Sequence, residues 1–172
     1  MTDPGSPTIR ELLSYRLHQV ANLLSRGAEM RYRREFGVSL WEWRSVALLG
    51  GAGEPHSLNE LARAAGMDKG QMSRVVSGLT RRRLVSRATD ANDARGIRLS
   101  LTRSGKNLYQ KLIGAAAERN SAFLDCLSVK ERVCLEQAMT KLAREAKSFI
   151  QKEHAAKPRP EHAVQPRPAR AR

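Results

Sequence analysis

The chain has 172 residues, with 31 lysines and arginines against 17 acidic residues, a formal charge of +14. This length permits a domain with its own core, and the charge favours a polyanionic partner, nucleic acid or an anionic membrane surface, although solubility alone would also explain it. No apolar run approaches the roughly 20 residues that cross a bilayer, and the N terminus lacks the apolar core of a signal peptide, so we expect a cytoplasmic protein.

The chain begins with a short segment, residues 1–8, that we expect to be flexible. A long helix is predicted over residues 9–36, and Gly37 is a plausible stop for it. Apolar residues recur along this helix at helical spacing and form one stripe: Leu13, Leu17, Val20, Leu24 and Ala28.

Four further helix starts have a Ser or Asp cap followed three residues later by Glu or Gln, the capping-box arrangement. The caps and their partners are Ser39 with Glu42, Ser57 with Glu60, Asp68 with Gln71, and Ser128 with Glu131. Between the second and third caps, Gly66 ends a short helix over residues 58–65. The spacing predicts a helix-turn-helix within residues 57–83.

After Arg83 the apolar period changes from helical to alternating. Residues 84–89 and 97–101 are predicted to be two strands, joined by the polar loop 90–96 in an antiparallel hairpin. Long helices are predicted over residues 102–126 and 128–152, followed by a Pro-, Ala- and Arg-rich tail, residues 153–172, that we expect to be disordered. One face of the last helix carries Leu135, Ala138, Leu142 and Phe149. The fold class is therefore mainly α with a small antiparallel β-hairpin.

The second helix of the helix-turn-helix has the side chains of a DNA-recognition helix. Its first two turns carry Lys69, Gln71, Ser73 and Arg74. Gln pairs with adenine, Arg pairs with guanine, and such a helix enters the major groove N terminus first. Residues 69–103 contain nine basic residues against two acidic ones, and a solvated polar face explains only part of this pattern. We therefore predict that residues 57–101 bind duplex DNA, with Arg95 at the hairpin tip in the minor groove.

Three stretches resemble the MarR family of bacterial regulators, with a matching helix order over about residues 9–150. They are DKGQMSRVV (68–76), LTRRRLV (79–85) and DANDARGIRLSLTRSG (90–105). The resemblance implies a winged helix-turn-helix, residues 37–101, between dimerisation helices at 9–36 and 102–152. It also implies a homodimer on a pseudo-palindrome with half-sites about one turn apart, released by a small molecule.

We predict ten DNA-binding residues, with the hairpin as the wing, and the resemblance implies five of them by position: Lys69, Gln71, Ser73, Arg74 and Arg95. The ten are Ser57, Lys69, Gly70, Gln71, Ser73, Arg74, Arg81, Asp93, Arg95 and Arg98. The family often has Asp-x-Arg-Asp-x-Arg in the wing, and this chain departs from it, since Asn92 stands where the first arginine would be.

The family's effector pocket usually lies between the dimer helices and the winged module. The matching residues here are Tyr15, Arg16, His18, Asn22, Trp41, Trp43 and Arg44. An aromatic wall with a cation suits an aromatic carboxylate, so phenolic acids or their coenzyme A thioesters are the candidate effectors. The alternatives are that Trp43 belongs to the core, Arg16 to an ion pair and His18 to the surface.

Other functions predict different features. An architectural DNA-binding protein would use the same basic surface without sequence preference, and a winged helix can also serve protein contacts alone. An enzyme is not expected, because the sequence has no nucleophile–base pair, metal-ligand spacing or cofactor motif; no cofactor is expected. Cys126 and Cys134 lie in apolar helical sequence, which favours burial as small hydrophobes over redox sensing.

Overall fold

A computed structural model describes residues 7–90 and 96–156 of the chain. A short 3-10 turn, Ile9–Glu11, precedes six α-helices. The helices are α1 (Leu13–Phe36), α2 (Leu40–Gly51), α3 (Leu58–Ala65), α4 (Lys69–Arg81), α5 (Arg103–Leu124) and α6 (Val129–Ala155). The predicted long first helix is therefore confirmed from Leu13 onward, after a tighter turn.

The local signals at the helix ends act as the sequence predicts. Ser39, Ser57 and Ser128 each form a complete capping box with the Glu three residues later. At the fourth cap the Asp68 side chain accepts a hydrogen bond from the Gln71 amide, without the reciprocal bond. Gly37 ends α1 in the left-handed conformation at φ 63°, which a glycine adopts without steric cost.

The strands form one antiparallel sheet in the order β1-β3-β2. The strands are β1 (His56–Ser57), β2 (Val85–Thr89) and β3 (Ile97–Leu101). The predicted hairpin is confirmed, with Val85 opposite Leu101 and Thr89 opposite Ile97. Strand β1 was not predicted, because two residues are too short to show an alternating pattern.

One core joins α1–α5 and the sheet. Its fully buried side chains include Tyr32, Leu61, Met72, Leu79, Leu99 and Leu112. Gly105 lets α5 begin directly against the end of the helix-turn-helix, since a Cβ there would lie 2.0 Å from the Leu84 carbonyl oxygen. The first turn of α5 is thus packed against Leu84, in the segment between α4 and β2.

The described chain separates into two units, one up to Asn120 and one from Ser121. In the second unit, α6 is described in full and none of its residues is buried. Its apolar side chains remain exposed, with Leu142 at 38% and Phe149 at 63% of full exposure. In the first unit, the N-terminal half of α1 has the same character, since Leu13, Leu17 and Val20 are also exposed.

The expected burial of the two cysteines is wrong. Cys126 and Cys134 are both exposed, because they lie in the second unit, where the apolar helical sequence around them is not packed into a core. The Cys126 thiol donates to the Phe123 carbonyl oxygen at 3.1 Å. Separately, none of the described helices has the length and apolarity to cross a membrane.

Candidate nucleic-acid interface

Helices α3 and α4 are joined by a turn of three residues that hydrogen bonds fix at both sides. Gly66 ends α3 at φ 65°, and the Met67 amide donates to the Ala62 carbonyl at 2.9 Å, as in a Schellman motif. The Asp68 carboxylate then accepts from the Gln71 amide at 2.9 Å and starts α4. This is the helix-turn-helix that the sequence predicts, with α4 as its second helix.

Helix α4 separates an apolar face from a polar one. Met72, Val76 and Leu79 are fully buried. On the other side, Lys69, Gly70, Gln71 and Arg74 are exposed in the first two turns, and Ser73 is half-buried at the boundary. The Asp68 carboxylate already occupies this end by accepting from the Gln71 amide, so the attraction of the surface for anions comes from the exposed Lys69 and Arg74 cations.

The C-terminal end of α4 is tied to α2. Arg82 Nη1 donates to Glu42 Oε1 at 3.0 Å, while Oε2 of the same carboxylate accepts from the Ser39 amide at 2.8 Å. Arg82 is therefore engaged with protein, although it is exposed, as is Arg81 beside it. Arg83 closes the helix in the left-handed region at φ 57°, an uncommon conformation for a residue with a side chain.

At the base of the hairpin, Arg98 on β3 contacts two carboxylates. Its Nε donates to Asp90 Oδ2 at 2.6 Å, and its Nη1 donates to Glu60 Oε2 at 3.2 Å. Two of the predicted DNA-binding residues, Asp93 and Arg95, lie outside the described residues.

The side chain of Ser57 serves the start of α3. Its hydroxyl accepts from the Glu60 amide at 3.2 Å, and its own amide donates to Glu60 Oε2 at 2.7 Å. Hydrogen bonds to the Glu60 carboxylate from the Ser57 amide and hydroxyl, together with the charge of Arg98, hold the pKa of Glu60 below its ordinary value of 4.5. The carboxylate therefore stays ionised and keeps its contact with Arg98 at neutral pH.

These elements enclose a groove of about 460 Å³ between α3, the start of α4 and the sheet. It brings together Ser57, Lys69 and Arg98 of the predicted DNA-binding residues. Among the described residues, no group of His, Cys, Asp and Glu side chains could hold a metal ion.

The winged module coincides with a family match. Residues 36–96 match the sequence model of the MarR family. A solved MarR/EmrR family transcriptional regulator from Acinetobacter sp. ADP1 superposes with a TM-score of 0.74 at 25% identity, over 83% of this chain and 99% of that one. The resemblance to the MarR family is confirmed.

Two further structures have the same fold at lower identity. The Staphylococcus aureus MepR–DNA complex has a TM-score of 0.69 at 21% identity, covering 78% of this chain and 98% of that one. Bordetella bronchiseptica BpsR, whose DNA binding is regulated by 6-hydroxynicotinic acid, has a TM-score of 0.71 at 19% identity, covering 81% and 98%. No curated protein matches this MarR-like chain in sequence.

The predicted effector residues do not all come together. Trp43 is buried, 8% exposed, and its ring lies 5.2 Å from that of Tyr32, so it is mainly a core residue. Trp41 is 37% exposed, and the Arg44 guanidinium lies 4.7 Å from the centre of its ring, within range of a cation–π interaction. Arg44 also donates to Ser25 Oγ at 3.3 Å, which joins α2 to α1.

The remaining candidates lie on α1. His18 and Asn22 hydrogen-bond to each other at 2.9 Å, and their spacing places them on the same helix face as Ser25. Tyr15 is half-buried and Arg16 is exposed. Beside Trp43 and Arg44 there is an open concavity of about 390 Å³, lined otherwise by small and apolar side chains: Ala47, Leu48, Ala64 and Ala65.

A cluster that the sequence analysis missed lies between α1 and α5. Arg119 Nη1 donates to the Tyr32 hydroxyl at 2.8 Å, and its guanidinium lies 5.1 Å from the Tyr32 ring centre. Burial raises the pKa of Tyr32, which stays a neutral phenol. The position of Tyr32, four residues after Ala28 in the stripe, is a signal that could have indicated its burial, but nothing in the sequence pairs it with Arg119, 87 residues away.

Proposed function

We propose that this protein is a homodimeric, ligand-responsive transcription regulator that binds a pseudo-palindromic operator, most simply as a repressor. The observation that carries the proposal is α4, whose exposed first turns hold Lys69, Gln71 and Arg74 over a fully buried apolar face. If α4 were only a solvent-exposed helix, the three-residue turn before it and the β-sheet beside it would be unexplained. The family match over residues 36–96 supports the same function.

We assign the contacts by chemistry. Gln71 and Arg74 would contact base edges, because their planar amide and guanidinium match adenine and guanine. Lys69, Ser73, Arg81 and the amide of Gly70 would contact phosphates, which fix the register on the duplex. Asp93 and Arg95 would act at the wing tip, with Arg95 in the minor groove. Ser57, whose hydroxyl already accepts from the Glu60 amide and donates to the Glu60 carboxylate, would contact the DNA backbone only if its hydroxyl proton turned away from Glu60.

The dimer is proposed from exposed apolar side chains. Two helices expose more large apolar side chains than a monomeric surface usually leaves in contact with water. They are Leu13, Leu17 and Val20 on α1, and Leu142 and Phe149 on α6. A second copy would cover them and place two recognition helices on one duplex. Half-sites would then be about one helical turn apart.

The effector is proposed to be a small aromatic acid or its coenzyme A thioester. Trp41 and Arg44 supply an exposed aromatic face beside a cation, and the adjacent concavity is mostly apolar. The face of α1 with His18 and Asn22 would form the other side, with Tyr15 and Arg16 at its N-terminal end. The fold neighbour BpsR, regulated by 6-hydroxynicotinic acid, supports this class of ligand by analogy only.

The first experiment is selection of random duplex DNA on the purified protein, followed by sequencing. A two-fold symmetric motif with half-sites about one turn apart is expected. Binding without an enriched motif would favour the architectural alternative, and absence of binding at moderate salt would contradict both. Gln71→Ala and Arg74→Ala should then relax base preference, whereas Lys69→Ala should weaken all sequences alike.

The effector hypothesis has its own matched pair of variants. Trp41→Ala should abolish release of the operator by aromatic acids while leaving operator affinity within about twofold of wild type, since a partly exposed ring contributes little to the core. Trp43→Ala should instead lower the melting temperature, because its ring packs on Tyr32. Unchanged ligand response in Trp41→Ala would contradict this site without touching the DNA-binding proposal.

A further inference from the structure

The base of the wing is held by one side chain. Arg98 Nε donates to Asp90 Oδ2 at 2.6 Å, and Nη1 donates both to Glu60 Oε2 at 3.2 Å and to the Pro55 carbonyl at 3.4 Å. Asp90 directly follows β2, Pro55 precedes β1, and Glu60 lies in the first turn of α3. One guanidinium therefore joins three separate segments.

These contacts lie where the hairpin leaves the sheet. The last β2–β3 pair is Thr89 opposite Ile97, and the Asp90 amide next donates to the Gly96 carbonyl at 2.9 Å. The Asp90 side chain is only 15% exposed. Its carboxylate is thus enclosed at the last residue of the described part of the hairpin that follows β2.

The charges argue against a phosphate contact as the main role of Arg98. Glu60 and Asp90 line the same groove as Lys69, and two unneutralised carboxylates there would repel a nucleic-acid backbone. Arg98 lies between them and offsets one of their two negative charges, and three of the five N–H groups on a guanidinium match the acceptors already described. The hydrogen-bonding capacity and charge of Arg98 are therefore directed mainly at protein.

We infer that Arg98 is a positioning residue, which holds the base of the wing against the start of α3 and so aims the wing at the duplex. This inference rests on the proposed DNA-binding function. It departs from the expectation that Arg98 binds DNA itself. It assigns a specific role to Asp90, an acidic residue in a strongly basic segment.

The test compares Arg98→Lys and Asp90→Asn by operator titration over a range of salt concentrations. A positioning role predicts that each weakens operator binding about tenfold, equal to about 1.4 kcal/mol. The slope of log affinity against log salt should stay unchanged, because no phosphate contact is lost. The combined loss in the double variant should be smaller than the sum of the two single losses in free energy, because both variants break the Arg98–Asp90 contact.

A phosphate-contact role predicts different results for the same variants. Lysine would preserve most of the affinity, Asp90→Asn would tighten binding by removing a negative charge, and Arg98→Ala would reduce the slope by about 0.9. Any of these would overturn the inference. Glu54→Gln is the matched control, since it removes an exposed acidic charge from the neighbouring loop and should leave the affinity at or slightly above wild type.

A second measurement needs no DNA. Amide hydrogen exchange at Asp90, whose N–H bonds to Gly96, and along β3 should be several-fold faster in Arg98→Lys and Asp90→Asn than in wild type. Far-UV circular dichroism checks that both variants remain folded. Unchanged exchange would overturn the inference even if DNA binding fell. If wild type binds no duplex, the proposed function fails, and exchange alone decides whether Arg98 holds the wing.

Discussion

Helices α4 and α6 place their apolar side chains in opposite environments. Helix α4 has 13 residues and buries three of them in the core, whereas α6 has 27 residues and, although the structure describes it in full, buries none. Both have regular caps and apolar residues at helical spacing. Helical periodicity therefore identifies an apolar face but does not say whether the same chain or a second copy covers it.

The largest loss of stability is expected at Gly105, where α5 packs against the end of the helix-turn-helix. In Gly105→Ala the added methyl would lie 2.0 Å from the Leu84 carbonyl oxygen and 3.0 Å from its carbon. The backbone must shift, and we expect about 4 kcal/mol of lost stability in urea unfolding, near the upper limit for one substitution. Gly114→Ala in the same helix meets no atom within 4 Å, so it should be neutral or stabilising by up to about 1 kcal/mol. Equal losses of stability in the two variants would show that the position in the helix, and not the clash with Leu84, determines the effect of Gly105→Ala.

A core substitution in α4 should be costly at every protein concentration. Leu79 is fully buried, so Leu79→Ala should cost about 3 kcal/mol through lost burial and a cavity. Leu142→Ala on α6 should act mainly on association, lowering the melting temperature more in dilute than in concentrated protein. Light scattering with differential scanning fluorimetry over a hundredfold dilution measures both. A concentration-independent effect of Leu142→Ala would contradict the proposed dimer surface.

Removing the N-terminal caps of α4 and α6 should cause smaller losses of stability than the core substitution. The Asp68 carboxylate accepts from the Gln71 amide at 2.9 Å, and Asp68→Ala should cost about 1 kcal/mol. The Ser128 hydroxyl accepts from the Glu131 amide at 3.3 Å, and Ser128→Ala should cost a similar amount, in a concentration-dependent way if α6 is stabilised by association. Chemical unfolding at two protein concentrations separates the cases.

The smallest effect concerns acid. Hydrogen bonds from the Ser57 amide and hydroxyl lower the pKa of Glu60, and those of the Ser128 hydroxyl and amide lower the pKa of Glu131. Folded-state pKa values below the ordinary 4.5 mean stability that is present above that pH and is lost as the pH falls through the folded value. Glu60→Gln and Glu131→Gln should each flatten the decline of melting temperature below pH 4.5. An unchanged acid limb in both would contradict the capping interpretation.

The sequence predicted what depends on local chemistry and missed what depends on distant pairing. Caps at Ser39, Ser57, Asp68 and Ser128, and the alternation in residues 97–101, encode their own structure within a few residues. The ion pairs of Arg82 with Glu42 and of Arg98 with Glu60 join residues that are far apart in sequence, and Arg98 also pairs with Asp90. No periodicity signals such pairs. Basic residues look alike in the sequence, and only the fold shows which of them are paired with carboxylates.

The two tryptophans illustrate the same limit inside one helix. Trp41 and Trp43 are two residues apart, and a helix directs such neighbours about 200° apart. Trp43 therefore enters the core beside Tyr32, while Trp41 stays at the surface with Arg44. The sequence indicated an aromatic wall, but the geometry leaves one exposed ring for a ligand.

The carboxylate of Glu42 connects the start of α2 to the end of α4. One of its oxygens accepts from the Ser39 amide in the first turn of α2, and the other accepts from Arg82 after the last turn of α4. A ligand seated at Trp41 that turned the start of α2 would pull on α4 at its far end from Gln71. Because one carboxylate contacts both helices, a displacement of the start of α2 would be transmitted to the helix that carries the side chains proposed to contact bases.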